Sequence, residues 1–453
     1  MNKIISKKNY LKVLVTLLIP ISFTIFKPFN LTTSQSIVLG SLFVTISWWA
    51  TGWVYKDFAS FYLITVFIFF GNTSFKNIFF FPLSENFILV VSSFLISKGI
   101  VNSKVADNFS EFILTKYCYN SKRLVIMSFV LGILLIFIIP QPFPRIILLA
   151  AIYTNFLKNA KISKESERII ILSIFVASTV TSLMFLNGDV VVNYAAMKFG
   201  GINLTYLEWA KYMTLPTILT TLIVLTTYLL IFKKDLNNKF NFKSKEELSI
   251  TKDGKKAIFI TLIIISLWMT ESFHGITPGL VALLGTILMF IFRILSIEDF
   301  KAVNISLLIF LTAQFSIGKV LTSNGTAQEI NVFLIEFFPN SESILYIPFI
   351  VLLVMGLHMI FGSLITALAI PIPTLLTVAQ GNLSPEFIVL LTAASVCFHF
   401  ILPFHHVSIM IGFGSGFYNN KQVIKIGLAL TIVTFFSVIL IYVPWWNFLG
   451  LNK

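Results

Sequence analysis

The sequence predicts an all-α polytopic membrane protein of two inverted-topology repeats, each with a re-entrant helical hairpin and a broken transmembrane helix, about 11 spans in all. Three observations carry that prediction. The first is composition: 57% hydrophobic residues against 11% charged, with a mean hydropathy of +0.91, excludes a soluble globular domain. The second is the recurrence, from Leu11 to Trp446, of apolar runs long enough to cross a hydrocarbon core of about 30 Å, with no sizeable soluble domain between them. The third is a break inside one run, at Pro140-Gln141-Pro142-Phe143-Pro144-Arg145. Proline donates no backbone hydrogen bond and clashes with the preceding turn, so 124–156 reads as two short helices hinged at these prolines. Lipid cannot solvate a hinge, and such backbone is tolerated at membrane depth only inside protein or beside a wet cavity.

Taken in order, 11–26 follows Lys3, Lys7 and Lys8 and lacks a small-residue cleavage pattern, so it reads as a retained first helix rather than a signal peptide. Spans follow at 34–54, 60–71 and 85–101, then the hairpin 124–156. Segment 168–200, about 33 residues, is too long for one untilted crossing and carries Asn187-Gly188-Asp189 and then Asn193 in its middle, the mark of a broken span. Span 209–232 leads into the polar stretch 233–256, whose part 236–256 is a cytoplasmic linker between repeats 1–235 and 257–453. Beyond it the plan returns, with spans at 257–270, 278–292 and 304–319. A second hairpin, 346–380, centres on Phe361-Gly362-Ser363, and a second broken span, 385–417, precedes a last span at 423–446.

Repetition is visible in residues too. Lys98 and Lys319 end matching spans, and Ser103-Lys104-Val105-Ala106 and Asn324-Gly325-Thr326-Ala327 occupy equivalent places, an offset of about 221 residues. Carried forward, that offset sets Pro140-Gln141-Pro142 against Phe361-Gly362-Ser363. Interruptions in corresponding positions of two halves point to a transporter binding site. With a cytoplasmic amino terminus, roughly 26 of the 33 Lys and Arg residues fall inside and about 6 outside, which puts the first hairpin on the inner side and the second on the outer. The net charge of +14 is spread over short loops rather than gathered with aromatics on one face, so no nucleic-acid partner is expected. Cys118 and Cys397 have neither disulfide nor metal-ligand spacing. The usage fits a multi-pass protein of a bacterial cell membrane, with the lipid bilayer as its solvent.

Ile139-Pro140 through Arg145, Leu402-Pro403 through Phe413-Gly414-Ser415-Gly416, Phe273-His274-Gly275-Ile276 and the pair Glu208-Trp209 together resemble the divalent anion:sodium symporter family, nearly end to end. That family carries dicarboxylates, citrate or sulfate, and the resemblance implies a homodimer with elevator-like motion. In relatives, two Ser-Asn-Thr hairpin tips bind substrate carboxylates beside sodium. Here the first tip reads Gln141-Pro142-Phe143, and the second keeps only Ser363 after Gly362, with Thr366 one turn on. Both asparagines are lost. The later span's Thr-Pro-Pro-Asn break becomes His405-His406-Val407-Ser408.

The expected chemistry needs only helix ends, because amino-terminal amides favour anions and carboxyl-terminal carbonyls favour cations. The substrate-binding candidates are Gln141, Pro142, Phe143, Arg145, Asn193, Gly362, Ser363, Thr366, His405, His406 and Ser408. Arg145 would clamp a carboxylate or oxyanion; the alternative is that it pairs with Asp189 or a carbonyl and fixes the hairpin. The coupling-ion candidates are Asn187, Asp189, His405 and His406. Sodium finds few side-chain oxygens here, whereas histidines such as His405 and His406 can titrate near neutral pH, so Na+ and H+ both stand open as coupling ions. His358 and His399 read as interhelical hydrogen-bond partners. Gly416 reads as a helix-packing position and Gly412 as exposed backbone.

The functional expectation is a secondary active transporter of a small anion, of the di- or tricarboxylate or inorganic oxyanion class, working across the cell membrane by alternating access as a cation-coupled carrier or an exchanger, without a resident cofactor. The rival is a non-transporting membrane protein of the same fold with an envelope or regulatory partner. No HExxH, GxSxG, P-loop or paired-carboxylate pattern stands at a membrane face to suggest an enzyme.

Overall fold

Apolar runs that end in good caps fold as helices along this chain. The structure, a computed structural model, describes residues 10–51, 53–137, 139, 142–157, 162–239, 250–335, 338–361, 364–379 and 381–451. Among them there is no strand, and Asn120 and Lys239 form an isolated bridge.

The first half comprises α1 (Tyr10–Thr16), α2 (Leu18–Phe26), α3 (Thr33–Thr51), α4 (Lys56–Phe70), α5 (Phe75–Ile78), α6 (Glu85–Asn102) and α7 (Val105–Tyr117). It continues with α8 (Ser121–Leu134), α9 (Pro142–Leu157), α10 (Lys164–Thr181), α11 (Val190–Gly200) and α12 (Tyr206–Ile231). Then come α13 (Lys252–Met269), α14 (Glu271–His274), α15 (Pro278–Ile291), α16 (Ile305–Ser323), α17 (Thr326–Ile335) and α18 (Tyr346–Phe361). The chain closes with α19 (Leu364–Ala369), α20 (Pro371–Val378), α21 (Pro385–Cys397), α22 (Val407–Gly414), α23 (Asn420–Ser437) and α24 (Val443–Phe448), the last two joined by a π-turn at Val438–Tyr442.

Capping fixes where these helices begin. Thr205 and Glu208 form a capping box on α12, Asn419 and Gln422 another on α23, and Ser163 and Ser384 accept the first free amides of α10 and α21. Each such cap contributes about 1 kcal/mol.

The two broken spans are central. α10 is buried on every side from Ile169 to Thr181, and α21 from Phe387 to Cys397, as expected of helices apolar all round and shielded by others. α10 packs on α8, α9, α12 and α22, while α21 packs on α11, α18, α19 and α20. Outside this inner group, α2, α3, α4 and α16 pack in sequence, and α6, α15 and α13 form a second layer. Among the described residues, three helices are long and apolar enough to cross a membrane by themselves, Glu85–Asn102, Tyr206–Ile231 and Asn420–Phe448; the other apolar helices found there are shorter.

Several expected boundaries move. The first span is divided at Leu17 into α1 and α2. α13 starts at Lys252, inside the expected linker, because Thr251 accepts the Gly254 amide and caps it. α7 and α17 fill 105–117 and 326–335, stretches left without an element by hydropathy alone. The second arm of the second hairpin is split at Ile370, before Pro371. The tip residues Pro140, Gln141, Gly362 and Ser363 lie outside the described residues, as does 240–249 of the expected linker.

Candidate functional site

A broken helix leaves carbonyls without amide partners, and buried ones must find other donors. In the first break they are nearly all accounted for. Asn193 donates its Nδ2 to the carbonyls of Ser182 (3.1 Å), Phe185 (3.2 Å) and Leu186 (3.2 Å). The Trp209 indole donates to Leu183 at 3.0 Å and Thr214 to Met184 at 2.9 Å, so α12 serves as a second donor strip. Arg145 donates through Nη2 to Gly188 (2.9 Å) and through Nη1 to Ile139 (3.3 Å). Asn187 spans the gap to the first hairpin, giving its Nδ2 to Ile136 at 3.1 Å while its Oδ1 accepts from Tyr206 at 3.2 Å.

Asp189 begins α11. Its Oδ1 accepts the Val192 amide at 3.2 Å, the ordinary role of an Asp N-cap, and it is close enough to Arg145 to act on it electrostatically. Gly188 beside it is obligatory, since a Cβ there would stand 2.3 Å from the Ser182 carbonyl.

Histidines organise the second break. Near the carboxyl end of α18, His358 meets His399 at 3.2 Å between Nδ1 and Nε2, and its own Nε2 bonds the His405 carbonyl at 3.0 Å. The Nδ1 of His405 accepts the amides of Ile401 (3.1 Å) and Leu402 (3.3 Å), and the Nδ1 of His406 accepts the Ser408 amide at 3.3 Å. His406 therefore caps α22 as Asp189 caps α11. From the far side, Gly427 of α23 packs so closely that a Cβ would lie 2.3 Å from the Phe400 carbonyl.

Pro142 is buried at the first position of α9, a place that proline's missing amide suits. With Pro144 it removes two of the four amides that this helix end would otherwise present to an anion. Phe143 and Thr366 belong to α9 and α19, with side chains outside the described part, and Ser408 is buried in the first turn of α22. Arg145, Asn187, Asp189 and Asn193 thus come together at one break, and His405, His406 and Ser408 at the other. α22 packs on both α9 and α10, and α11 on both α19 and α21, so the breaks adjoin.

Two donors stand out from this bookkeeping. Among the described residues, the Nε of Arg145 and the Nε2 of His406 are buried without an acceptor, at the amino ends of the adjoining helices α9 and α22. Buried donors almost always have a partner, so a pair without one marks a place for an acceptor-rich group.

Two cavities lie against the broken spans. One, of about 690 Å³, is walled by Phe94 and Lys98 of α6, Leu148 and Ala151 of α9, and Met410 and Ile411 of α22. The other, of about 500 Å³, is walled by Lys198 and Gly200 of α11, Lys319 and Thr322 of α16, and Pro373 of α20. Lys98 pairs with Asp299 at 3.8 Å, and Lys319 sits over the Phe80 ring at 4.8 Å.

Sequence reasoning missed the contribution of Trp209, Thr214 and Tyr206 to holding the first break; hydropathy placed a span at 209–232 but not the face it presents. His358 and His399 do bond across helices, as read, and they bond each other. The two glycine assignments change places. Gly416 has a φ of +75° with open space around it, while Gly412 packs against the Tyr418 ring, whose hydroxyl donates to Ile409 at 2.8 Å.

An all-helical chain with two interrupted central helices and apolar length for membrane crossing defines a polytopic membrane protein of the transporter class. The chain belongs to the family of the sodium:sulfate symporter transmembrane region, which it matches over residues 6–452, and so to the divalent anion:sodium symporters. It is 23% identical over 236 residues to an uncharacterized transporter of Methanocaldococcus jannaschii, covering 51% of this chain and 54% of that one. It is also 24% identical over 206 residues to a membrane protein of Cupriavidus necator, covering 43% of this chain and 40% of the other. The matches thus span about half the length of these relatives.

Proposed function

We propose that the protein is a secondary active transporter that moves a small anion, a di- or tricarboxylate or an inorganic oxyanion, across a cell membrane by alternating access. The observation that carries this reading is a pair of buried donors, Arg145 Nε and His406 Nε2, that find no acceptor among the described residues and stand at the amino ends of two adjoining helices. Helix amino ends and N–H donors suit oxygen anions, and two donors from different elements suit one with several oxygens.

The inverted-repeat reading is supported by paired features. Lys104 and Gly325, about 221 residues apart, both take positive φ before α7 and α17. Asp189 and His406 both cap the second half of a broken span. Each cavity is walled by one hairpin's second arm and the other half's broken span, and Lys98 and Lys319 correspond across them. In an inverted repeat such cavities open to opposite faces, with Lys98 inner and Lys319 outer under the cytoplasmic amino terminus.

Coupling by protons fits better than coupling by sodium, because the carbonyls of the first break already accept from Asn193, Trp209, Thr214 and Arg145. A homodimer follows from family resemblance.

Uptake of labelled sulfate, succinate and citrate into proteoliposomes, with sodium and pH gradients imposed separately, tests the reading. Saturable uptake that weakens in His406→Phe supports it. The second reading, a non-transporting protein, is favoured by the two prolines that remove amide donors from α9. Absence of uptake together with absence of ligand-induced thermal shift across the same anions would establish that reading instead.

A further inference from the structure

We propose that His358 and His399 form a binding site for one proton, the ion that drives the carrier; this rests on the transport reading above. The hydrogen bonds assign the tautomers. The His405 carbonyl only accepts, so His358 carries its hydrogen on Nε2 and its Nδ1 is a bare lone pair. The ring facing that lone pair across 3.2 Å must donate, so His399 carries its hydrogen on Nε2 and leaves Nδ1 bare. The Nδ1 of His399 is buried and finds no hydrogen-bond partner among the described residues, and the Ser395 backbone acts on the same ring. An incoming proton bonds at that Nδ1. The Nε2 hydrogen of His399 can then pass to His358 Nδ1, leaving three ring hydrogens on the pair where there were two. The His358 Nε2 hydrogen stays on the His405 carbonyl throughout, so the second break is held in both states.

Position favours a positive charge at this place. His358 lies in the last turn of α18 and His399 two residues beyond α21, so two helix carboxyl ends meet at the pair. The titratable groups around it are few. Cys397, His405 and His406 share its segment, and Asp189, at the start of α11, acts electrostatically on Cys397. Tyr442 reaches in beside Phe398, with ring centroids 5.6 Å apart. α11 carries Tyr194 and Lys198 further along, and α18 begins with Tyr346. Lys421 and Lys425 lie in the first turns of α23 and Glu386 in the first turn of α21, while α3, α19 and α20 bring no titratable group. An imidazolium shut away from water is costly. That cost is the coupling: an anion bound at the neighbouring α22 amino end, against His406, offsets the charge, so proton and anion load together.

Gln in place of either histidine tests this with little disturbance, since a Gln amide can still donate to the His405 carbonyl or to His358 Nδ1 but cannot be protonated. In proteoliposomes with labelled sulfate or succinate, uptake driven by an inward pH gradient falls about tenfold in His358→Gln and His399→Gln, while anion exchange without a gradient persists. Gradient-driven uptake unchanged in both variants overturns the proposal. So does wild-type uptake indifferent to pH, which leaves the carrier reading standing. If wild type moves neither anion, the carrier reading fails, and nitrogen NMR of 15N-histidine-labelled protein decides the pair. One ring proton added to this pair on acidification, missing when His358→Gln and His399→Gln are combined, supports it; both rings of the pair neutral until unfolding overturn it.

Discussion

Arg145 ties the first hairpin to the first broken span by donating from its two terminal guanidinium nitrogens, Nη1 and Nη2, to carbonyls on separate segments, Ile139 and Gly188. A planar fork can do this and an ammonium cannot, so Arg145→Lys should lose at least one charge-assisted bond and about 2–3 kcal/mol of stability, read as lowered resistance to thermal unfolding in detergent. His406 makes the converse case. Its Nδ1 is committed to the Ser408 amide, which leaves its Nε2 as a buried donor. His406→Asn keeps an N-cap oxygen and loses that donor, so the fold should hold while the KM for anion uptake rises about tenfold or more.

At the scale of elements, the amino end of α11 separates charge from capping. Asp189→Asn preserves a cap oxygen, whereas Asp189→Ala does not, and only the latter should cost about 1 kcal/mol of cap stability. Helix contacts give a second comparison. Gly427→Ala drives a Cβ into the Phe400 carbonyl and should destabilise by about 1–3 kcal/mol. Gly356→Ala on α18 meets open space and should be neutral to slightly stabilising, by about 0–1 kcal/mol. Thermal unfolding of the pair distinguishes a close approach from a generic effect of glycine.

The loop Ile297–Ala302 responds to acid. Burial alone would raise the Asp299 carboxyl, but the Ser296 amide, the Asn102 side chain, the Ser296 hydroxyl and Lys98 together hold it below the ordinary value. A depressed carboxylate stabilises above its unfolded value of about 4, and its contribution is lost as pH falls through the folded value. Asp299→Asn should therefore flatten the acid limb of the stability profile and leave the neutral region nearly unchanged.

At the scale of the molecule, alternating access requires the two cavities to exchange exposure. Cysteines placed at Ala151, on the larger cavity, and at Thr322, on the smaller, should change their labelling by a polar thiol reagent in opposite directions when a transported anion is added. Parallel changes, or none, would refute a rocking or sliding exchange. Native Cys118 and Cys397 are buried, which keeps the background low.

Hydropathy, proline positions and the interruption at Asn187-Gly188-Asp189 were enough to determine a helical membrane protein with broken central helices, because lipid forces every span to satisfy its own backbone, while the family was legible only as a resemblance in motifs such as Ile139-Pro140 through Arg145 and Leu402-Pro403 through Gly416. Residue types also named most of the side chains gathered at the breaks. What they could not give was direction. Whether Asn193 faces a solute or three carbonyls, and whether His358 meets His399 or another helix, depends on rotations between helices set by packing, and apolar sequence leaves those rotations undetermined. Amphipathic α7 and α17 escaped for a related reason: moderate hydropathy marks a helix only when its neighbours supply the apolar face it covers. Sequence thus decided where the chain must break, and tertiary contact decided which groups satisfy the break and which donors it leaves free.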